Sequence, residues 1–214
     1  MLNLVRYKSD HAKDAFYREA KQKGYRARSA FKLLEIQSRF NVFKRVFYIL
    51  DLGSAPGSWL QISKELAIKN IEKYNDSHYS RDYFKIMGVD IKKLSPIEDI
   101  EILTMNINDK ELRNKIDEYF NGEKLDLILS DASINKSGNK FSDQARQIKL
   151  CYEILSLIDF LKNRGNFVIK LFQGEDFEAF FKSFKSYFMQ VKSFKPRASS
   201  KKSNEIYLIG LKKK

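Results

Sequence analysis

The stretch VFYILDLGSAPGSW, Val46 to Trp59, constrains the fold more than any other part of this chain. Val46, Phe47, Tyr48, Ile49 and Leu50 form an uninterrupted run of β-branched, aromatic and aliphatic residues. A run with no polar alternation fits a strand buried on both faces, as in a parallel sheet. Asp51 ends the run, and Gly53, Ala55, Pro56 and Gly57 make a turn of small residues, with Ser58 placed to cap a helix. Strand, glycine turn and helix start together open a doubly wound nucleotide-binding sheet.

The remaining segments alternate in the same way. Further strands are predicted at Lys85–Asp90, Glu101–Met105, Leu125–Ser130, Asn166–Lys170, Gln190–Lys195 and Glu205–Leu211. Helices are predicted at Ser58–Asn70, Asp109–Phe120, Ser142–Asn163 and Phe177–Tyr187. Such β/α alternation argues a largely parallel sheet covered on both sides. Residues 71–83, IEKYNDSHYSRDY, are polar and aperiodic and read as a surface insertion. In the long helix predicted at Ser142–Asn163, Ile148, Cys151, Leu155, Ile158 and Leu161 recur at helical spacing, which makes Cys151 a core residue rather than a nucleophile. No internal repeat is visible, and 214 residues suit one domain spanning 1–214.

Ahead of the sheet, residues 1–44 form a basic helical extension. Helical spacing runs over 8–40, with Ala15, Phe16, Ala20, then Ala30, Phe31, Leu34 and Ile36 inward, and Gly24 between. Lys13, Arg18, Arg26, Arg28 and Lys32 are interleaved with Tyr7, Tyr17 and Tyr25, a mixture suited to phosphate contact and base stacking. The whole chain carries 40 Lys and Arg against 27 Asp and Glu, a net +13 that favours a polyanionic partner, nucleic acid before membrane. No apolar run reaches the roughly 20 residues of a membrane span, and MLNLVRYKSDHAKD lacks the apolar core of a secretory signal. One cysteine precludes an internal disulfide and suits a reducing compartment, and with two histidines it argues against a zinc site, so no metal is expected.

The first turn reads Gly-x-x-x-Gly, without the third glycine of a dinucleotide site or the Gly-Lys-Ser/Thr of a phosphate loop. Asp90 ends the second strand, where a carboxylate accepts from two ribose hydroxyls. Asp51 and Asp131 end strands on the same edge. Three acids there favour a cationic ligand, so S-adenosylmethionine, with its sulfonium and ammonium, fits better than NAD.

The chain resembles the FtsJ-type RNA 2′-O-ribose methyltransferases over nearly its whole length. The resemblance lies in KQKGYRARSAFKLLEI, DLGSAPGSW, SDAS, VIKLFQGEDF and SNEIYLIG. Order and spacing look closest to the branch acting on large-subunit ribosomal RNA, with uridine as target. The resemblance implies a Rossmann-like methyltransferase fold, an α/β architecture with a mostly parallel seven-stranded sheet and an antiparallel last strand. It implies a catalytic set of Lys32, Asp131, Lys170 and Glu205, and cofactor contacts from Gly53, Gly57, Trp59, Asp90 and Asp131. Asn106 stands where the family usually has an acid that contacts adenine; its carbonyl can still accept from the adenine amino group.

In this reading Lys170 accepts the 2′-hydroxyl proton. Desolvation and the Lys32 ammonium would lower its pKa, Asp131 and Glu205 orient the lysines, and Lys32 holds the hydroxyl or phosphate. Two lysines and two carboxylates leave no large uncompensated charge. RNA is expected at the carboxyl edge, held by Arg26, Arg28, Lys32, Lys195, Arg197, Lys201 and Lys202. The same chemistry on tRNA or an mRNA cap, and a non-catalytic ribosome-assembly factor, are the alternatives. A monomer is expected, cytoplasmic in a bacterium and in the mitochondrion, another organelle or the nucleus of a eukaryote, with ribosomal RNA or the large subunit as partner.

Overall fold

The run at 46–52 becomes the middle of the sheet. The computed structural model describes residues 15–74, 82–135, 137–199 and 203–214. Seven strands form one sheet: β1 Tyr48–Leu52, β2 Lys85–Asp90, β3 Glu101–Thr104, β4 Leu125–Ser130, β5 Leu161–Phe172, β6 Phe188–Phe194 and β7 Glu205–Lys213. Their order is β3-β2-β1-β4-β5-β7-β6, and β7 alone runs antiparallel to its neighbours. The helices are α1 Ala15–Gln22, α2 Ala30–Phe40, α3 Ser58–Tyr74, α4 Glu111–Phe120, α5 Lys140–Leu155 and α6 Phe177–Ser186.

Side-chain alternation along the strands makes two cores. Leu50 and Leu52 join Ile128, Phe167, Ile169 and Leu208 beneath α4, α5 and α6. Ile49 joins Leu127, Leu129, Val168, Tyr207 and Ile209 beneath α2 and α3. Every β1 residue is buried, and each of the large aliphatic side chains contributes about 1.5–3 kcal/mol in transfer terms. The chain leaves β1 toward β2 and later returns on its other side as β4, so strand order reverses between β1 and β4. That reversal opens a crevice at the carboxyl ends of these strands.

Three expectations change on the structure. The helix from Ser58 continues to Tyr74 instead of ending at Asn70, because Ile71 and Tyr74 pack on the core and Arg45 lies 5.4 Å over the Tyr74 ring. The insertion at 71–83 is therefore helical in its first part, and 75–81 lie outside the described residues. The helix predicted through Asn163 stops at Leu155, followed by a 3-10 turn at Ser156–Phe160. Leu161 then pairs with Leu125, and a register shift before Leu127 absorbs the extra residues around Arg164, whose φ is 63°. Ser58 does not act as a side-chain cap: its hydroxyl lies 2.8 Å from that of Ser29. In the basic extension the described helices are α1 and α2; Tyr7, Lys13 and the rest of 8–14 lie outside the described residues.

Asp126 joins the entry of β1 to β4 and β5. Its buried carboxylate accepts from the Phe47 N–H at 2.6 Å and the Tyr48 N–H at 2.9 Å, and it pairs with Lys162. Truncation would leave two buried N–H donors unpaired. Asp126→Ala is expected to lower the unfolding free energy by about 2–4 kcal/mol, read as a drop in urea midpoint at unchanged m-value.

Candidate active site

The carboxyl ends of β4 and β5 and the start of β7 converge on one cluster. Lys170 leaves β5 on the same face as Val168 and meets Asp131, the residue after β4: Nζ lies 2.9 Å from Asp131 Oδ1 and also donates to the Asp131 carbonyl. Tyr207 donates its hydroxyl to Asp131 Oδ1. Lys32, near the start of α2, donates to the Tyr207 oxygen at 3.1 Å and lies 3.9 Å from Asp131 Oδ1. Glu205 Oε1 meets Lys32 Nζ at 2.8 Å as an ion pair, without an aligned hydrogen bond to that oxygen. Lys32 Nζ also lies 5.6 Å over the Tyr207 ring, a cation–π placement.

The four charged side chains are only 7–18% exposed, so their interactions are weakly screened. Burial pushes the Asp131 carboxyl upward, but Lys170, Lys32 and the Tyr207 hydroxyl outweigh it and hold it below the ordinary carboxylate value. Glu205 behaves alike: burial raises it, Lys32 overcomes that, and the net is low. Tyr207 goes the other way. Burial and the Asp131 and Glu205 charges push its hydroxyl well above the usual tyrosine value, so it remains a donor.

Beside this cluster lies a cavity of about 320 Å³ at the β1/β4 crevice. Gly53, Asp90, Asn106 and Asp131 line it, with Ile91, Ile107 and Leu150 as apolar walls. Gly53 has φ +76°, and an added Cβ would fall 2.4 Å from Ala132 Cα, so only glycine lets the two loops close together. Asp90 Oδ2 accepts from Ala55 N–H at 2.9 Å and Oδ1 from Lys92 N–H at 2.8 Å. This fixes the carboxylate with a lone pair left on each oxygen. Asn106 Oδ1 accepts from Asn108 N–H at 3.0 Å, an Asx turn that engages the carbonyl expected to meet adenine. Asp51 is fully buried, and neither of its carboxylate oxygens has a hydrogen-bond partner among the described residues. Burial, then the Asp131 and Asp90 charges, push its carboxyl well above the ordinary value.

Gly57 and Trp59, expected at the cofactor, are not among the residues lining this cavity. Trp59 is buried, its ring 5.9 Å from that of Tyr207 and its Nε1–H donating to Ser29 O at 2.8 Å. At the basic surface, Arg197 is 93% exposed, with its main-chain N–H on Glu35 at 2.9 Å, and Lys195 Nζ reaches Ser203 O at 2.6 Å. Arg28 is partly exposed, and Arg26 has its guanidinium on main-chain carbonyls. Lys201 and Lys202 lie outside the described residues. Sequence reasoning missed Tyr207, although strand alternation puts it on the same face as Glu205, and Gln147, which holds the Ala132–Ile134 loop from α5. Cys151 is core, as expected: its Sγ donates to the Lys170 carbonyl at 3.4 Å.

A mostly parallel sheet, a crevice at the strand-order reversal and acids at the ends of β1, β2 and β4 define a Rossmann-like methyltransferase. Residues 25–213 match the FtsJ-like methyltransferase family, and the chain belongs to that family. A Methanosarcina mazei protein named ribosomal RNA large subunit methyltransferase E is 38% identical over 201 residues, 94% of this chain and 69% of the relative. The Ehrlichia chaffeensis protein of the same name is 37% identical over 212 residues, 98% of this chain and 93% of the relative. The crystal structure of a Plasmodium falciparum ribosomal RNA methyltransferase superposes with a TM-score of 0.72 at 26% identity, covering 88% of this chain and 98% of that one.

S-adenosylmethionine is the methyl donor of this enzyme, and the residues present fit it. Asp90 can take ribose hydroxyls, Ile91 and Ile107 can flank a base, and the Asp131 carboxylate suits a cation.

Two expectations follow from the buried titratable groups. With its folded pKa raised, Asp51 keeps its proton on folding while the unfolded chain loses it above about pH 4. Stability is therefore lost as pH rises above that value toward the folded pKa. Asp51→Asn should remove this loss, with a limiting slope of about 1.4 kcal/mol per pH unit, seen by urea unfolding between pH 4 and 7. Parallel curves for the two proteins would contradict it. The Cys151 thiol is pushed up to about 12 by burial. It should resist an aromatic disulfide reagent at pH 8 in the folded protein and react fully in denaturant.

Proposed function

We propose that this enzyme methylates a ribose 2′-hydroxyl, that of a uridine, in large-subunit ribosomal RNA, acting as a monomer. The observation that carries the reading is the Lys32–Asp131–Lys170–Glu205 cluster beside the cofactor cavity, with Asp131 lining both. The names of the relatives support the RNA class. So does the net charge of +13.

When bound, the cofactor would supply an electrophilic methyl group on a sulfonium, whose S–CH₃ bond breaks as the methyl is transferred to leave a neutral thioether. The chain supplies position and a place for the proton. Lys32, held by Glu205 and the Tyr207 oxygen, fixes the ribose hydroxyl or its neighbouring phosphate. As the new O–CH₃ bond forms, the hydroxyl proton passes to Lys170 Nζ. The ammonium so formed is the form that the Asp131 carboxylate and carbonyl oxygens hold. Tyr207 keeps the shared Asp131 oxygen oriented between the two lysines. Arg28, Lys195 and Arg197, with Lys201 and Lys202, draw the phosphates to this edge, so affinity falls steeply with salt.

Lys170→Ala should reduce tritiated methyl transfer to a large-subunit RNA or particle by about 10²–10⁴-fold while calorimetric cofactor affinity stays within a few-fold. Near-normal turnover would remove Lys170 as proton acceptor. Nuclease mapping of the labelled product tests both the 2′-hydroxyl and the uridine: a base-methylated nucleotide would refute the first, and methyl on the ribose of another nucleoside the second.

A further inference from the structure

Arg26 stands between α1 and α2, where a basic residue beside tyrosines reads as a phosphate contact. The structure gives its donors another use. Nη1 donates to Ser95 O at 2.7 Å and to Pro56 O at 3.3 Å, and Nη2 donates to Pro96 O at 2.8 Å. Pro56 belongs to the glycine turn after β1. Ser95 and Pro96 belong to the segment after β2 whose first residues, Ile91 and Lys92, line the cofactor cavity. The guanidinium thus bridges two walls of that cavity.

The turn is shaped around it. Gly57 has φ +106°, and a Cβ added there would fall 2.8 Å from Arg26 Nη1 and 3.3 Å from its Cδ. A side chain at 57 would push the guanidinium off its carbonyls.

The main chain of the same segment is fastened to α3. The Arg26 N–H donates to Gln61 Oε1 at 2.8 Å, and Gln61 Nε2 returns a hydrogen bond to Gly24 O at 3.0 Å. The Trp59 indole reaches Ser29 O, and the Ser29 and Ser58 hydroxyls meet at 2.8 Å. One residue after Ser29, α2 begins, and its third residue is Lys32.

We propose that Arg26 is a positioning residue that ties the cofactor turn to the cavity rim and to the helix carrying Lys32, and is not a phosphate contact. A planar fork can serve carbonyls from two separate segments, whereas the point charge of lysine cannot reproduce that geometry.

Arg26→Lys separates the two roles, because it keeps the charge and loses the fork. Three readouts apply to Arg26→Lys and Arg26→Ala: calorimetric binding of S-adenosylhomocysteine without RNA, emission of Trp59, the single tryptophan, and the salt dependence of binding to a large-subunit RNA transcript. Both variants should bind the cofactor product about tenfold more weakly, the equivalent of about one hydrogen-bonded contact. Both should shift the Trp59 emission and leave the slope of log affinity against log salt unchanged. A slope lower by about one in Arg26→Ala, restored in Arg26→Lys, would overturn the proposal. Cofactor affinity unchanged in both variants would also overturn it. If Arg26→Ala does not fold, as judged by circular dichroism, Arg26→Lys alone decides through cofactor affinity and emission. The cofactor measurement needs no RNA, so a transcript that fails to bind would count against the substrate proposed above and leave the Arg26 result standing.

Discussion

One carboxylate organises the chemistry of this fold. Asp131 Oδ1 lies within reach of Lys170, Lys32 and the Tyr207 hydroxyl, and the same residue lines the cofactor cavity. Two donors, from β5 and β7, and the Lys32 side chain of α2 at 3.9 Å therefore converge on one oxygen. Their combined pull exceeds the burial penalty and keeps the group ionised. Without that charge, Lys32 and Lys170 would face each other across the site with no carboxylate between them. Asp51, a short distance along the same edge, shows the opposite balance. Among the described residues it meets no hydrogen-bond donor, so burial and its acidic neighbours prevail.

The sheet was readable from sequence because its central strands are buried on both faces and need unbroken apolar runs. KIMGVD and LDLILS lie where those runs place them, and YILDL begins two residues into its run and continues past Asp51 to Leu52. The failures occur where two periods coincide. Leu155, Ile158 and Leu161 fit a helix, yet Leu161 is buried as the first residue of a strand, because a short 3-10 turn keeps the chain against the same core. The end of α3 was misjudged because a run of polar residues hid Ile71 and Tyr74, whose burial is decided by distant partners.

The site was legible as residue identities rather than as directions. Family resemblance picked out Lys32, Asp131, Lys170 and Glu205, and the structure brings all four together. It gave no indication that Trp59 turns its indole toward Ser29 or that Arg26 sets its guanidinium on main-chain carbonyls. Both depend on contacts between segments far apart in sequence. Tyr207 belongs to the same category: its face follows from strand alternation, but its partners lie on β4 and α2. The basic extension is thus part of the site's framework as well as a charged surface, since α2 supplies both a buried core stripe and Lys32.

β7 lies between β5 and β6 and runs against them. Because of that reversal, the first residues of β7 arrive at the edge where the parallel strands end, and they bring Glu205 and Tyr207 with them. Among the described residues the cofactor cavity is lined by residues up to Leu150, and the cluster around Asp131 closes only with residues beyond 204. A chain cut before Glu205 would keep every residue that lines the cavity and lose two of the side chains that meet beside it.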